Sequence, residues 1–94
     1  MNEYQLYIDG EFCEASDDNR FDSVNPATGE VWATAPGATE DDVDRAVRAA
    51  RRALTEGDWP AMTATQRGRL LYRLADLMTD AAHYLGGIET TDSG

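Results

Sequence analysis

The side chains that most often carry chemistry are thinly spread in this chain. One thiol, Cys13, and one imidazole, His83, stand seventy positions apart. A thiolate and an imidazole together would serve nucleophilic acyl chemistry, but neither sits in a local pattern that names a third partner. The plain reading of Cys13 is a small, half-buried side chain. A single cysteine makes no internal disulfide, and zinc-type sites want several Cys or His ligands; a reduced, cytoplasmic setting fits. Carboxylates are abundant instead. Eighteen Asp and Glu oppose eight basic residues for a net charge of −10, and all eight basic residues are arginine. Such a surface repels a phosphate backbone and an anionic bilayer, which excludes nucleic acid and membrane as partners. An Asp-rich, Lys-free surface suits a salt-loaded cytoplasm, where screening relieves self-repulsion. There is no run of about 18 apolar residues to span a bilayer, and Met1-Asn2-Glu3 does not open a basic-then-apolar leader.

The elements that would position any functional residue can be read from periodicity. Ninety-four residues suffice for one small domain. Tyr4-Gln5-Leu6-Tyr7-Ile8 is aromatic and β-branched enough for a strand. Asp9-Gly10 accommodates positive φ in a tight turn, and Glu11-Phe12-Cys13-Glu14 returns. Ser16 to Asn19 is a polar connection. A second hairpin spans Phe21 to Ala35, its tip Asn25-Pro26-Ala27-Thr28-Gly29 combining a proline that presets φ with a glycine for the left-handed position. Residues 1–36 are therefore expected to be β-hairpins.

After Pro36-Gly37 the apolar period changes from two to 3.6. Thr39 and Asp42 form a weak capping box, and residues 39–57 read as a helix with an apolar stripe of Val43, Ala46, Val47, Ala50, Ala53 and Leu54. The spacing predicts the ion pairs Asp41–Arg45 and Asp44–Arg48. Asp58-Trp59-Pro60 reads as a turn, with Trp59 as a packing anchor. Residues 63–92 form one helix or more, opened by Thr63 and Gln66 in capping-box register. Leu70, Leu71, Leu74, Leu77, Met78, Ala81 and Leu85 make a wide apolar face. Arg67, Arg69 and Arg73 line a basic stripe, solvated or facing a carboxylate, and His83 reads as a surface or half-buried residue. Gly86-Gly87 either stops the helix or is crossed at about 1 kcal/mol per glycine relative to Ala. The two apolar helix faces exceed what short hairpins can cover, so something more must pack on them.

Together these pieces resemble one superfamily. The residues that carry the likeness are Tyr7-Ile8-Asp9-Gly10-Glu11-Phe12, then Val24-Asn25-Pro26-Ala27-Thr28-Gly29-Glu30-Val31. Next come Asp41-Asp42-Val43-Asp44-Arg45-Ala46-Val47 with Ala49-Ala50-Arg51, then Trp59. Arg67-Gly68-Arg69-Leu70-Leu71, Leu74-Ala75-Asp76-Leu77 and Glu89-Thr90-Thr91-Asp92-Ser93-Gly94 complete the series. In this order and spacing the chain resembles the opening of the aldehyde dehydrogenases, its ending being closer to the general aldehyde and betaine-aldehyde branches than to the succinate-semialdehyde branch.

The resemblance implies an α/β fold: N-terminal hairpins followed by two or three amphipathic helices, residues 1–94 forming the opening portion of a Rossmann-like NAD(P)-binding domain. It further implies an enzyme of several hundred residues, a homo-oligomer with additional catalytic and oligomerisation parts. Such an enzyme oxidises an aldehyde to a carboxylic acid with NAD or NADP through a cysteine thioester. The family's nucleophile, its glutamate and its glycine-containing cofactor motif all lie downstream of such an opening, and Cys13 does not match the nucleophile's motif. No catalytic or cofactor-binding residue is expected here, and the 94 residues alone are expected to be inactive. One site is expected in part. The resemblance assigns Ser23, Val24 and Asp92 to a structural Na⁺ or K⁺ site completed by a ligand from elsewhere, where backbone oxygens and a carboxylate suit a hard cation. Two further readings stay open: a stand-alone acidic interaction module derived from such an enzyme, and a semialdehyde-oxidising or CoA-acylating relative.

Overall fold

The computed structural model describes residues 1–94, and it divides into a strand half and a helix half. Five short strands come first: β1 (Asn2–Glu3), β2 (Leu6–Ile8), β3 (Glu11–Cys13), β4 (Arg20–Val24) and β5 (Val31–Pro36). Four helices follow: α1 (Glu40–Thr55), α2 (Asp58–Ala61), α3 (Ala64–Asp80) and α4 (Ala82–Ser93).

Both hairpins form where the turn chemistry places them. β2 and β3 pair antiparallel, Leu6 opposite Cys13 and Ile8 opposite Glu11. The two residues between them, Asp9 and Gly10, have φ of 54° and 78°, the doubly left-handed geometry of a tight hairpin turn. β4 and β5 pair antiparallel around the Asn25–Gly29 tip. There the Gly29 N–H donates to the Asn25 carbonyl at 2.8 Å, and the Asn25 side chain accepts from the Ala27 N–H at 2.9 Å. Gly29 has φ of 75°, the left-handed position its sequence offers. The register slips between Ser23 and Val24, so that Ser23 faces Ala33 and Val24 faces Val31. This β-bulge leaves Trp32 as the extra residue on β5, and such bulges re-aim a side chain.

A parallel pairing joins the N-terminus to this sheet. Asn2 and Glu3 lie beside Ala33 and Thr34, giving the order β1-β5-β4. This strand precedes the one expected from Tyr4, and its pairing joins residues some thirty positions apart, which leaves no local trace in the sequence.

Both capping boxes form. Thr39 accepts from the Asp42 N–H while Asp42 accepts from the Thr39 N–H, and Thr63 and Gln66 do the same for α3. The Asp58-Trp59-Pro60 turn is instead one helical turn, α2. Of the two expected ion pairs on α1, Asp44–Arg48 forms at 3.0 Å. Asp41–Arg45 does not form: Arg45 turns one residue along to the fully buried Asp42, at 3.2 Å. The stronger acceptor is the carboxylate withdrawn from water. Of the two outcomes open at Gly86-Gly87, the helix crosses them, and the interruption lies earlier. The chain bends at Ala81 (φ −95°, ψ 11°), and α4 then runs through both glycines.

The molecule has almost no interior. Only Ala15, Ala33, Pro36 and Asp42 are buried. Leu70, Leu71, Leu74, Leu77, Met78 and Leu85 on α3 and α4, and Val43, Val47 and Leu54 on α1, are exposed. The Cα radius of gyration is 16.8 Å, against about 12 Å for a compact chain of this length. Its extents are 48 × 34 × 15 Å, a slab roughly one element thick.

Candidate functional site

Three polar clusters order this slab. The first is built on Asp42, whose side chain is 0% exposed. The Ser16 N–H donates to both its oxygens, at 3.3 and 3.1 Å, and the Thr39 N–H donates at 2.9 Å. The Ser16 and Thr39 hydroxyls bond to each other at 2.8 Å. The Thr39 N–H lowers the Asp42 pKa most; burial opposes it, and the Ser16 N–H adds to the lowering, so the group falls from 3.8 to about 2. Asp42 therefore stays ionised and fastens the loop after β3 to the start of α1.

The second cluster is Arg20, at the head of β4. Its guanidinium donates to the Glu14 carboxylate at 2.5 Å, the Tyr4 carbonyl at 2.6 Å, and the Thr34 carbonyl and hydroxyl, both at 3.1 Å. One planar fork thus ties the two sheets together. Its signal in the sequence is its isolation: Arg20 is the one basic residue among positions 1–39, where eight carboxylates stand.

The third cluster brings together two of the three expected cation-site residues. Asp92, in the last turn of α4, accepts through Oδ1 from the Ser23 hydroxyl and from the Trp32 indole N–H, the latter at 3.2 Å. The Tyr4 ring holds that indole edge-on, with centroids 6.1 Å apart. Ser23, Trp32, Asp92 and Ile88 share a cavity of about 290 Å³. Val24 lies at the bulge with its side chain exposed and does not line that cavity. The end of α4 also approaches the Asn25-Pro26 turn, where a Cβ on Gly94 would come within 2.9 Å of the Pro26 ring. A hard cation needs several oxygen ligands. Here the Asp92 carboxylate, an oxygen group of the type Na⁺ or K⁺ takes, stands beside the strand bulge with the Ser23 hydroxyl bonded to it, and the rest of the cavity lining is mostly apolar. No three His, Cys, Asp or Glu side chains gather into a group able to hold a metal.

A dinucleotide finds no such fit. Its pyrophosphate wants a glycine-rich turn between a strand and a helix, with free N–H groups behind it. The β5–α1 junction is the strand-to-helix connection, but its capping box takes the Thr39 and Asp42 N–H groups, and Glu40, Asp41 and Asp42 make it anionic. Gly86 and Gly87 lie inside a helix. Cys13 is half-buried, 4.0 Å from the Arg45 guanidinium, and His83 is exposed on α4. Arg67 lies over the Trp59 ring at 6.0 Å, and Arg67, Arg69 and Arg73 meet no carboxylate within ion-pair distance. No helix is long and apolar enough to cross a membrane.

Comparison with known proteins places this geometry in context. The model of the family described as "Aldehyde dehydrogenase family" matches residues 12–94. The chain is 51% identical over 94 residues to (Z)-2-((N-methylformamido)methylene)-5-hydroxybutyrolactone dehydrogenase of Acinetobacter baylyi, covering 100% of this chain and 19% of that protein. Among solved structures it is similar to an aldehyde dehydrogenase from Bacillus cereus in complex with NAD⁺. That match has a TM-score of 0.96 and 41% identity, over 99% of this chain and 19% of the other. A betaine aldehyde dehydrogenase from Staphylococcus aureus, also with NAD⁺, matches with a TM-score of 0.89 and 39% identity, over 94% and 17%. The chain spans about a fifth of the length of such relatives.

Proposed function

The chain belongs to the aldehyde dehydrogenase family, and from that premise we propose that it is the N-terminal portion of an NAD(P)-dependent enzyme oxidising an aldehyde to a carboxylic acid. In such an enzyme the bound nicotinamide supplies a hydride acceptor, and the thioester-forming cysteine and the cofactor pocket reside in other segments. The contribution of these 94 residues is architectural. Arg20 ties the two sheets together, Asp42 fastens the loop after β3 to α1, Asp92 draws α4 onto the sheet, and the helices present apolar faces to the remainder of the protein. Ser23, Val24 and Asp92 contribute to a Na⁺ or K⁺ site completed from that remainder. The acidic, lysine-free surface suits a reduced cytoplasm rich in salt.

The observation that carries this reading is uncovered surface. The chain exposes 7389 Å², whereas a compact protein of 10.3 kDa exposes about 5,400 Å². The excess of about 2,000 Å² on this one chain is more than twice the roughly 800 Å² that a standard interface takes from each partner, and the exposed valines and leucines of α1, α3 and α4 contribute to it.

The test compares the 94-residue chain with the complete product of the native reading frame in an assay of aldehyde-dependent NAD(P)⁺ reduction. Activity is expected only in a product that continues past Gly94 into a cysteine-bearing segment. A native product of 94 residues that is monomeric and melts sharply at low salt overturns the proposal in favour of a stand-alone module.

A further inference from the structure

Asp92 occupies an electrostatically awkward place. It lies in the last turn of α4, where the helix dipole is negative, and no basic residue accompanies it there. A carboxylate in that position gains from donors brought from elsewhere. Two arrive from the sheet, the Ser23 hydroxyl and the Trp32 indole N–H, and both reach the same oxygen, Oδ1. They are the only side-chain hydrogen bonds that join α4 to the strands, and no ion pair spans the same gap. Oδ2 receives no hydrogen bond.

We infer that Trp32 is a positioning residue for Asp92: with Ser23 it pins Oδ1, so that the carboxylate meets an alkali cation through its other oxygen. The inference rests on the cation reading above. Its geometric basis is the β-bulge, which makes Trp32 the extra residue on β5. Tyr4, packed edge-on, then holds the ring. The indole supplies one N–H and accepts nothing, so it can hold a carboxylate without competing for a cation. A partner that fixes a ligand's orientation in this way acts on metal affinity through the second coordination shell.

The test measures the thermal midpoint of the complete native protein against added KCl or NaCl, with choline chloride at equal ionic strength as the screening control. Wild type is expected to show an alkali-specific rise that choline does not give, and Asp92→Asn to lose it. Trp32→Phe keeps a ring but no donor; it and Ser23→Ala should need about tenfold or more cation for the same rise, and Ser23→Thr should restore it. Melting in choline reports the intrinsic stability of each variant separately. If Asp92→Asn loses the rise while Trp32→Phe and Ser23→Ala keep the wild-type midpoint concentration, the positioning role is overturned and the cation site stands. If wild type shows no alkali-specific rise, both fall.

Discussion

Asp42 shows how much organisation one side chain supplies in a molecule with so little interior. Its carboxylate satisfies the N–H groups of Ser16 and Thr39 and holds Arg45 at 3.2 Å. Its folded pKa, about 2, lies below the ordinary 3.8. A depressed carboxylate adds stability that is fully present above its unfolded value and lost as pH falls through the folded one. The contribution of Asp42 should therefore fade between about pH 4 and pH 2 and be constant above. Asp42→Asn is expected to melt lower than wild type at pH 7 and to show a flatter decline between pH 4 and 2, read from thermal midpoints across that range. The sequence announced only half of this hub. Thr39 and Asp42 are three residues apart and legible as a capping box, whereas Ser16 joins from 26 positions away. The same holds for Asp92: its proximity to Ser23 spans 69 residues and came from family likeness, and the Trp32 contact, over 60 residues, had no sequence signal.

Among elements, those fixed by local chemistry were legible and those fixed by distant partners were not. Asp9-Gly10 and the Asn25–Gly29 tip name their turns because few residues tolerate positive φ. The period of apolar residues and the two boxes name α1 and α3. The bend at Ala81 had no such mark, since alanine is the best helix former. Its consequence is visible in space, because it directs α4 so that Asp92 reaches the sheet. The glycines offer a contrast that measures this distinction. Gly86 and Gly87 are helical, and an added Cβ would meet nothing within 4 Å. Gly86→Ala and Gly87→Ala should each raise stability by about 0.5–1 kcal/mol in the 94-residue chain. Gly29→Ala, at φ of 75°, should lower it by about as much or more. Denaturant midpoints of the three variants, measured in molar KCl where the like charges are screened, check the opposite signs.

At the scale of the whole molecule, shape and charge pull in different directions. The apolar faces of α1 and α3 favour association, while positions 1–39, with eight carboxylates against Arg20, repel one another. Fourteen of the eighteen carboxylates have no arginine partner, only Asp9, Glu14, Asp42 and Asp44 being paired. The 94-residue chain alone is expected to bind an apolar dye strongly and to unfold without a sharp transition at low salt. Molar KCl should raise its helical signal by screening the like charges. Strong dye binding that persists in the complete native protein would show that the helix faces remain uncovered there. A slab 15 Å thick has a further consequence in time. In a polypeptide where roughly 400 further residues follow, as the length of the relative from Acinetobacter baylyi implies, this segment waits about 20–80 s for them at typical synthesis rates. Throughout that interval its leucine-lined helices face the cell unaccompanied, a natural client for holding chaperones. The surplus of negative charge would then serve the nascent chain, by keeping neighbouring copies on one message apart until their own downstream residues arrive.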